Sequence, residues 1–209
     1  MLPRPTLNIA EVFASVQGEG LRQGEPAIFV RFSGCNLRCT FCDTKDAWTG
    51  GKERTREEVM AEVRGLRRDF PAAWICLTGG EPLLQDISGL VRDLKKEGLK
   101  VQAETNGTVD RLLAVDWYTV SPKPPEYAVE PRFQKTAREV KLVVSRELDF
   151  NIVRMVRKKF PSPTPIFLQP ESNRRRSAAK AMRILRQTLK EGLENIRLSA
   201  QLHKILGIR

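Results

Sequence analysis

The sequence lacks the features of membrane, secreted and fibrous proteins. Among its 209 residues, no apolar run approaches the roughly 18–20 residues that a membrane-spanning helix needs. Residues 1–14 have no continuous apolar core behind a basic start, so they do not resemble a signal peptide, and we expect a cytoplasmic protein. Glycine and proline number 14 and 13, close to average usage, and no internal repeat is visible, which excludes collagen-like and low-complexity proteins.

The composition is that of an ordinary globular protein with an excess of basic residues. Hydrophobic residues make up 41% and charged residues 29%, and the length favours a single domain over residues 1–209. The net charge is +11, of which residues 1–100 carry +1 and residues 101–209 carry +10. A basic region attracts anions such as carboxylates, phosphates or nucleic acid, and the charge alone does not choose among them.

Histidine is almost absent, and cysteine is scarce but clustered. His203 is the single histidine, and three of the four cysteines, Cys35, Cys39 and Cys42, lie within eight residues. In a chain without a secretory signal, this clustering indicates metal or redox chemistry rather than a disulfide framework. The fourth, Cys76, lies between Ile75 and Leu77 in an apolar segment, so we expect a buried thiol there.

Apolar segments alternate with amphipathic ones along the chain. This alternation predicts an α/β protein with a mostly parallel sheet of about six strands, an abridged and partial (βα) barrel. The predicted strands cover residues 27–33, 74–78, 100–104, 117–120, 139–144, 166–169 and 196–199, and the predicted helices include one begun by a capping box at Thr55 and others over about 83–97, 148–160 and 173–190.

The polar motifs follow the predicted strands. The cysteines come after the first strand, Gly79-Gly80-Glu81-Pro82 after the second, Glu104-Thr-Asn-Gly107 after the third, and Ser121-Pro-Lys123 after the fourth. Because ligands bind at the carboxyl ends of parallel strands, these motifs are expected to form one site.

The spacing Cys-x3-Cys-x2-Cys permits two kinds of metal site. Three thiolates on a cubane 4Fe–4S cluster leave one iron with an open position, where a metal site does chemistry. Structural zinc needs four closed ligands, and only Cys76 or the distant His203 could complete them.

The segment from Gly34 to Thr44, with an aromatic at Phe41, resembles the cluster loop of the radical S-adenosylmethionine (SAM) superfamily. The resemblance implies that Cys35, Cys39 and Cys42 hold a 4Fe–4S cluster whose open iron binds SAM. The segment from Thr78 to Pro82 is similar to the superfamily's glycine motif, where small residues let backbone carbonyls approach the SAM amino group.

Further motifs, spread over nearly the whole chain, narrow the resemblance to one family within the superfamily. They are Gln17-Gly-Glu-Gly20, Arg31, Asp43-Thr44, Glu104-Thr-Asn-Gly-Thr108, Ser121-Pro-Lys123, Gln169-Pro-Glu171 and His203-Lys-Ile-Leu-Gly207. They are similar to the 7-carboxy-7-deazaguanine synthase family. The resemblance implies a lyase that converts 6-carboxy-5,6,7,8-tetrahydropterin to 7-carboxy-7-deazaguanine with loss of ammonia, on the route to queuosine, after hydrogen abstraction by a 5′-deoxyadenosyl radical.

The resemblance also implies residue roles. Thr44 would bind Mg²⁺; the SAM contacts would be Phe41, Asp43, Gly80, Glu104, Ser121, Lys123 and Gln169; and the substrate contacts would be Val16, Gln17, Gly18, Arg31, Thr78 and Arg209. Arg209 departs from the family's usual last residue. An electron donor such as flavodoxin or ferredoxin and a homodimer are further implications, with no direct contact to nucleic acid or membrane.

Two other functions compete with this one. Another radical SAM enzyme, such as a glycyl-radical activase, would share the cluster loop and the glycine motif. A basic, zinc-stabilised RNA-binding domain would use the net charge and the clustered thiols, although it lacks a nearby fourth ligand. The run Arg174-Arg175-Arg176 fits an RNA patch, but at a helix start it is more often a solvated face.

Overall fold

The structure, a computed structural model, describes residues 6–209. Residues 1–5, the start of the segment tested above for a signal peptide, lie outside this range. In the described part of the chain, one sheet has nine strands in the spatial order β3-β1-β2-β4-β5-β6-β7-β8-β9. The strands are β1 Thr6–Val16, β2 Pro26–Phe32, β3 Lys52–Thr55, β4 Trp74–Gly79, β5 Lys100–Thr105, β6 Trp117–Val120, β7 Glu139–Val144, β8 Ile166–Pro170 and β9 Ile196–Leu198.

The helices are α1 Arg56–Asp69, α2 Ser88–Lys96, α3 Pro131–Thr136, α4 Phe150–Lys159, α5 Arg175–Lys190 and α6 Leu202–Leu206. The first five pack buried apolar residues onto one face of the sheet, whereas α6 has no buried residue and adjoins Gly18. Thr55 forms the predicted capping box with Glu58 at the start of α1. None of the helices between residues 6 and 209 is long and apolar enough to cross a membrane.

The parallel part of the sheet confirms the predicted fold class, and the number of strands is larger than predicted. Seven strands, β2 and β4–β9, run parallel, while β1 pairs antiparallel with both β2 and β3. The sequence prediction missed β1 and β3. The β3 residues Lys-Glu-Arg-Thr have little strand propensity, and β3 gains its hydrogen bonds from pairing with β1.

The second helix is shorter than the sequence predicted. A 3₁₀ turn over Pro82–Leu84 follows Glu81, whose side chain accepts a hydrogen bond from the backbone N–H of Leu83, and α2 begins only at Ser88. The prediction of a helix from residue 83 was therefore wrong by about one and a half turns. Its end is as predicted, because Gly98 follows α2 with φ +74°.

The two faces of the sheet differ in polarity. On β7, Val140, Leu142 and Val144 face the helices and belong to the main apolar core, whereas Glu139 and Lys141 face the interior of the partial barrel. The same alternation places polar side chains inside on β5 and β6. The interior is therefore a polar chamber that opens at the carboxyl ends of the parallel strands.

Candidate functional site

A cavity of about 250 Å³ lies at the carboxyl ends of the parallel strands. All seventeen residues assigned above to the cluster, Mg²⁺, SAM or substrate line it. The structure thus brings together motifs that are up to 193 positions apart in the sequence, from Val16 to Arg209. Their individual roles stay predictions.

The base of the cysteine loop is fixed against the glycine motif. The Gly34 carbonyl accepts a hydrogen bond of 2.8 Å from the Glu81 backbone N–H, and the Gly34 N–H donates to the Ala47 carbonyl at 2.9 Å. A Cβ atom at Gly80 would lie 2.0 Å from the Gly34 carbonyl oxygen. Position 80 therefore requires glycine, because any side chain would push the loop away from the end of β4.

The three clustered thiols are free and partly exposed to the cavity. A turn connects two of them, with the Cys42 N–H donating to the Cys39 carbonyl at 3.0 Å, and the Thr44 N–H donates to Cys42 Sγ at 3.4 Å. Backbone donors to cysteine sulfur are a means by which proteins tune iron–sulfur clusters. Three accessible thiols with such a donor fit the predicted cluster. Between residues 6 and 209, no three His, Cys, Asp or Glu side chains converge on one point as they would around a single metal ion. A cluster does not require this, because each thiolate binds a different iron of the cluster.

A second set of contacts fixes the start of the cysteine loop to the end of β5. The Asn36 side chain donates to Thr108 Oγ1 at 2.8 Å and accepts from the Asn106 side chain at 2.9 Å. The Asn106 N–H and the Thr105 hydroxyl donate to the buried Glu81 carboxylate at 2.7 and 2.8 Å. Burial raises the pKa of Glu81. The Glu-Thr-Asn-Gly motif therefore supports the cysteine loop.

A buried ion cluster forms the floor of the cavity. Lys141 Nζ pairs with Glu19, and with Glu104 Oε2 at 3.2 Å. The Gln17 side chain donates to Glu104 Oε1 at 3.0 Å. Burial alone would lower the pKa of Lys141, but the two carboxylates raise it above its usual value. Burial would raise the pKa of Glu104, and Lys141 together with Gln17 lowers it instead. The floor therefore pairs the Lys141 ammonium with the Glu104 carboxylate, beside Glu19.

Glu19 connects the floor to the C-terminal segment. Its Oε1 accepts from the Gln169 and Gln201 side-chain amides at 2.7 and 2.9 Å. The same Gln201 nitrogen donates to Asp43 Oδ2 at 2.9 Å. Burial would raise the pKa of Asp43, but hydrogen bonds from Lys204 and Gln201 lower it below its usual range. Asp43 is therefore a carboxylate that faces the C-terminal segment.

Arg31 lies on the cavity wall next to a pair of stacked rings. Its Nε donates to Glu11 Oε1 at 2.6 Å. Arg209 pairs with the other oxygen of Glu11 and lies 4.8 Å from the centroid of the Phe13 ring. Phe13 stacks on Phe29 with ring centroids 5.1 Å apart. Two arginines therefore share one carboxylate at the edge of the cavity, where an incoming carboxylate could compete for them.

The Ser-Pro-Lys loop and Thr44 place further polar groups on the cavity wall. The Ser121 hydroxyl donates to the Lys141 carbonyl at 2.8 Å and accepts from the Lys123 ammonium. Burial lowers the pKa of Lys123. Thr44 Oγ1 donates to Asp43 Oδ1 at 3.2 Å, so its lone pairs remain available to a hard cation.

Cys76 is buried, as predicted, but it is not surrounded by apolar groups alone. It packs with Phe13 and Phe29, and its Sγ lies 3.7 Å from Glu104 Oε1 and 3.9 Å from Gln17 Nε2. Burial raises the pKa of this thiol well above its usual value. Cys76 therefore lies beneath the ion cluster, apart from the three clustered thiols.

Sequence reasoning assigned no individual role to several polar residues that line the cavity, among them Glu19, Lys141, Gln201 and His203. The signal for Lys141 was its position, because Glu139 and Lys141 alternate with apolar residues on a strand and so share the interior face. The place of the C-terminal segment had no such signal: its close approach to Gly18, where a Cβ atom would lie 2.0 Å from His203 Nδ1, is visible only in the structure.

The predicted arginine run does not line the cavity. Arg174, Arg175 and Arg176 are exposed at the start of α5, and Arg174 pairs with Glu171 at 2.6 Å. This placement agrees with a solvated helix face.

Comparisons with known proteins agree with the site. Residues 29–147 match the model of the Radical SAM superfamily. The chain is 36% identical to the 7-carboxy-7-deazaguanine synthase of Synechocystis sp., over 96% of this chain and 93% of that protein. It is also 36% identical to that of Aquifex aeolicus, over 95% and 93%. The crystal structure of QueE from Escherichia coli superposes with a TM-score of 0.78 at 29% identity, over 95% of each chain.

The superfamily match accounts for the cysteine loop and the glycine motif, and it brings a 4Fe–4S cluster and SAM as cofactors. The relatives extend the match beyond residues 29–147, because they cover 96% and 95% of this chain. The chain therefore belongs to the 7-carboxy-7-deazaguanine synthase family of radical SAM lyases.

Proposed function

We propose that the chain converts 6-carboxy-5,6,7,8-tetrahydropterin to 7-carboxy-7-deazaguanine with loss of ammonia. The observation that carries this proposal is that the three free thiols, the Arg31 guanidinium and the Glu104–Lys141 pair line one cavity. A carboxylated, nitrogen-rich heterocycle needs a cation for its carboxylate and several hydrogen-bonding groups for its ring edges. This cavity supplies both types of group beside the proposed cluster site.

On this proposal Cys35, Cys39 and Cys42 hold the cluster. When bound, the cluster and SAM supply the radical that removes a hydrogen from the substrate. Gly80 would bind the SAM amino group through backbone carbonyls, which a residue without a side chain lets the ligand approach closely. The other SAM contacts we propose are Phe41, Asp43, Glu104, Ser121, Lys123 and Gln169.

The protein's own task is to hold the substrate in one orientation. Glu11 binds the Nε edge of Arg31, which keeps the Nη pair for the substrate carboxylate. We propose that Arg209 assists at the same carboxylate and that Thr44 binds Mg²⁺ beside it. The remaining substrate contacts we propose are Val16, Gln17, Gly18 and Thr78, all of which line the cavity.

The proposal extends to the assembly and its partners. Radical SAM chemistry needs a reductant, and we propose an acidic carrier such as flavodoxin or ferredoxin, because the second half of the chain carries a net charge of +10. We propose a homodimer because Ile205, Leu206 and Ile208 expose 61%, 59% and 43% of their surface in one short segment. One sheet shared by all described strands supports a single domain, and free thiols support the reducing cytoplasm.

The test is anaerobic reconstitution with iron and sulfide, followed by incubation with the carboxylated pterin, SAM, Mg²⁺ and a reductant. We expect bound iron, cluster absorbance in the visible region and formation of 7-carboxy-7-deazaguanine. Cys39→Ala should abolish cluster absorbance and product. The matched control Cys76→Ala should keep its cluster, because that thiol is buried apart from the cysteine loop.

Two results would contradict the proposal. One zinc and no iron per chain after strictly anaerobic preparation would favour a zinc-stabilised domain. A loaded cluster that cleaves SAM without forming the deazaguanine would favour another radical SAM reaction, such as activation of a glycyl-radical enzyme.

A further inference from the structure

The cysteine loop is held at its two ends by different parts of the chain. At its start, Gly34 and Asn36 are bound by residues that follow β4 and β5. At its end, Asp43 directly follows the third cysteine, and its Oδ2 accepts from the Gln201 amide at 2.9 Å and from Lys204 Nζ at 2.5 Å. Among residues 6–209, the side-chain hydrogen bonds that leave positions 39–44 all go to Gln201 and Lys204.

The C-terminal segment is itself hydrogen-bonded to the barrel, so it can hold Asp43 in place. The Leu202 N–H donates to the Gly18 carbonyl at 2.9 Å, and the Asn173 side chain exchanges two hydrogen bonds with the Gln201 backbone at 2.9 and 3.0 Å. The Gln201 amide also donates to Glu19 in the ion cluster. Asp43 is therefore bound to a segment that is itself hydrogen-bonded to the loop after β1 and to the loop after β8.

We propose that Lys204 and Gln201 are positioning residues that hold Cys42 in place for the cluster through Asp43. Lys204 neutralises the carboxylate, and the Gln201 nitrogen donates to Asp43 and Glu19 at once. This fixes the third cysteine without either residue touching sulfur. The role is separate from the proposed reaction, because it concerns the order of the loop before any substrate binds.

The test is hydrogen–deuterium exchange of the full chain, before and after anaerobic reconstitution. The Thr44 and Ala47 amides report the end of the loop, since they donate to Cys42 Sγ and the Thr44 carbonyl. Without the cluster, Lys204→Gln should speed their exchange about two- to fivefold, the range for one partly exposed ion pair. The Glu81 amide, which donates to Gly34 at the start of the loop, and the Gly80 amide, which donates to Phe32 at the end of β2, should exchange at the wild-type rate.

Three further variants make the test specific. Lys204→Arg keeps the charge and should restore slow exchange, while Lys190→Gln, at an exposed lysine on α5, should change nothing. Asp43→Ala removes the contacts to both Lys204 and Gln201, so it should speed exchange at least as much as Lys204→Gln, and adding Lys204→Gln to Asp43→Ala should change nothing further. After reconstitution, the cluster absorbance of Lys204→Gln should bleach faster in air than that of the wild type.

The proposal would be overturned by unchanged exchange at Thr44 and Ala47, or by a change that spreads equally to Gly80 and Glu81. Additive effects in the double variant, or bleaching at the wild-type rate, would also overturn it. None of these measurements needs turnover, so their failure would leave the proposed reaction untouched, and a missing deazaguanine product would leave this inference untouched.

Discussion

Replacing Lys141 with methionine should destabilise the protein strongly. Lys141 is the ammonium between the Glu19 and Glu104 carboxylates, and the three side chains are 10–20% exposed. Methionine fills a similar volume but leaves two buried carboxylates without their cation. Removing one partner of a buried ion pair costs about 3–5 kcal/mol. For a chain of this size, that loss lowers Tm by roughly 10 °C.

The pH dependence of this loss of stability tests whether the unpaired carboxylates cause it. Without Lys141, the effect of burial on Glu104 is no longer outweighed by the ammonium, so the folded-state pKa of Glu104 rises above its unfolded value of about 4.3. A carboxyl with a raised folded pKa is favoured when protonated, so the stability deficit of Lys141→Met should be largest at neutral pH and shrink as pH falls towards 5. In the wild type, the lowered pKa of Glu104 has the opposite effect: its contribution is present at neutral pH and is lost in acid.

Urea unfolding at pH 7.5 and pH 5, followed by circular dichroism, measures both effects. Lys158→Met, at an exposed lysine in the last turn of α4, is the matched control and should change stability by less than about 0.5 kcal/mol. Adding Glu104→Gln to Lys141→Met should recover part of the loss, because one stranded charge is removed. A loss below about 1 kcal/mol, or a deficit equal at the two pH values, would refute the idea that Lys141 neutralises the floor.

Two further predictions concern the backbone. Gly80→Ala places a Cβ 2.0 Å from the Gly34 carbonyl oxygen. It should lower the free energy of unfolding by about 1–3 kcal/mol and reduce the iron retained after reconstitution. The control Gly65→Ala in α1, whose nearest contact is at 3.7 Å, should be neutral or stabilising. Normal iron retention in Gly80→Ala would contradict the proposed contact between loop and turn. Thr55→Ala removes the cap of α1 and should cost about 1 kcal/mol in thermal unfolding with iron retention unchanged; an equal loss of iron would show that α1 supports the site.

The parallel strands could be predicted from the sequence because their apolar segments are short, bounded by turns and separated by helical patterns. The strand around Val30 is typical, since its outward residues are fully buried and its inward residues reach the cavity. The strand β1, which lies between β3 and β2, was missed because it is half exposed and carries polar residues, such as Asn8 and Glu11, among its apolar ones. Pairing with β2 and β3 decides its conformation, and no local pattern encodes that pairing.

The site was predictable where a motif has a fixed spacing, as with the three cysteines. Residues whose role depends on a partner far away in the sequence were not predictable. Glu19 and Lys141 are 122 positions apart and meet only because β7 lies opposite the loop after β1. Gln201 is an isolated amide in the sequence, and its bridge from Glu19 to Asp43 depends on where the C-terminal segment crosses the barrel.

One buried carboxylate joins two turns at the carboxyl end of the sheet, the turn after β4 and the turn after β5. Glu81 belongs to the turn after β4, yet its two oxygens bind Thr105 and Asn106 at the end of β5. The two turns therefore cannot shift independently, and a molecule that immobilises one of them immobilises the other without a second entropic cost. A ligand bound at the glycine turn would therefore also restrain Asn36, beside the first cysteine, through the hydrogen bonds of Glu81 with Asn106 and of Asn106 with Asn36.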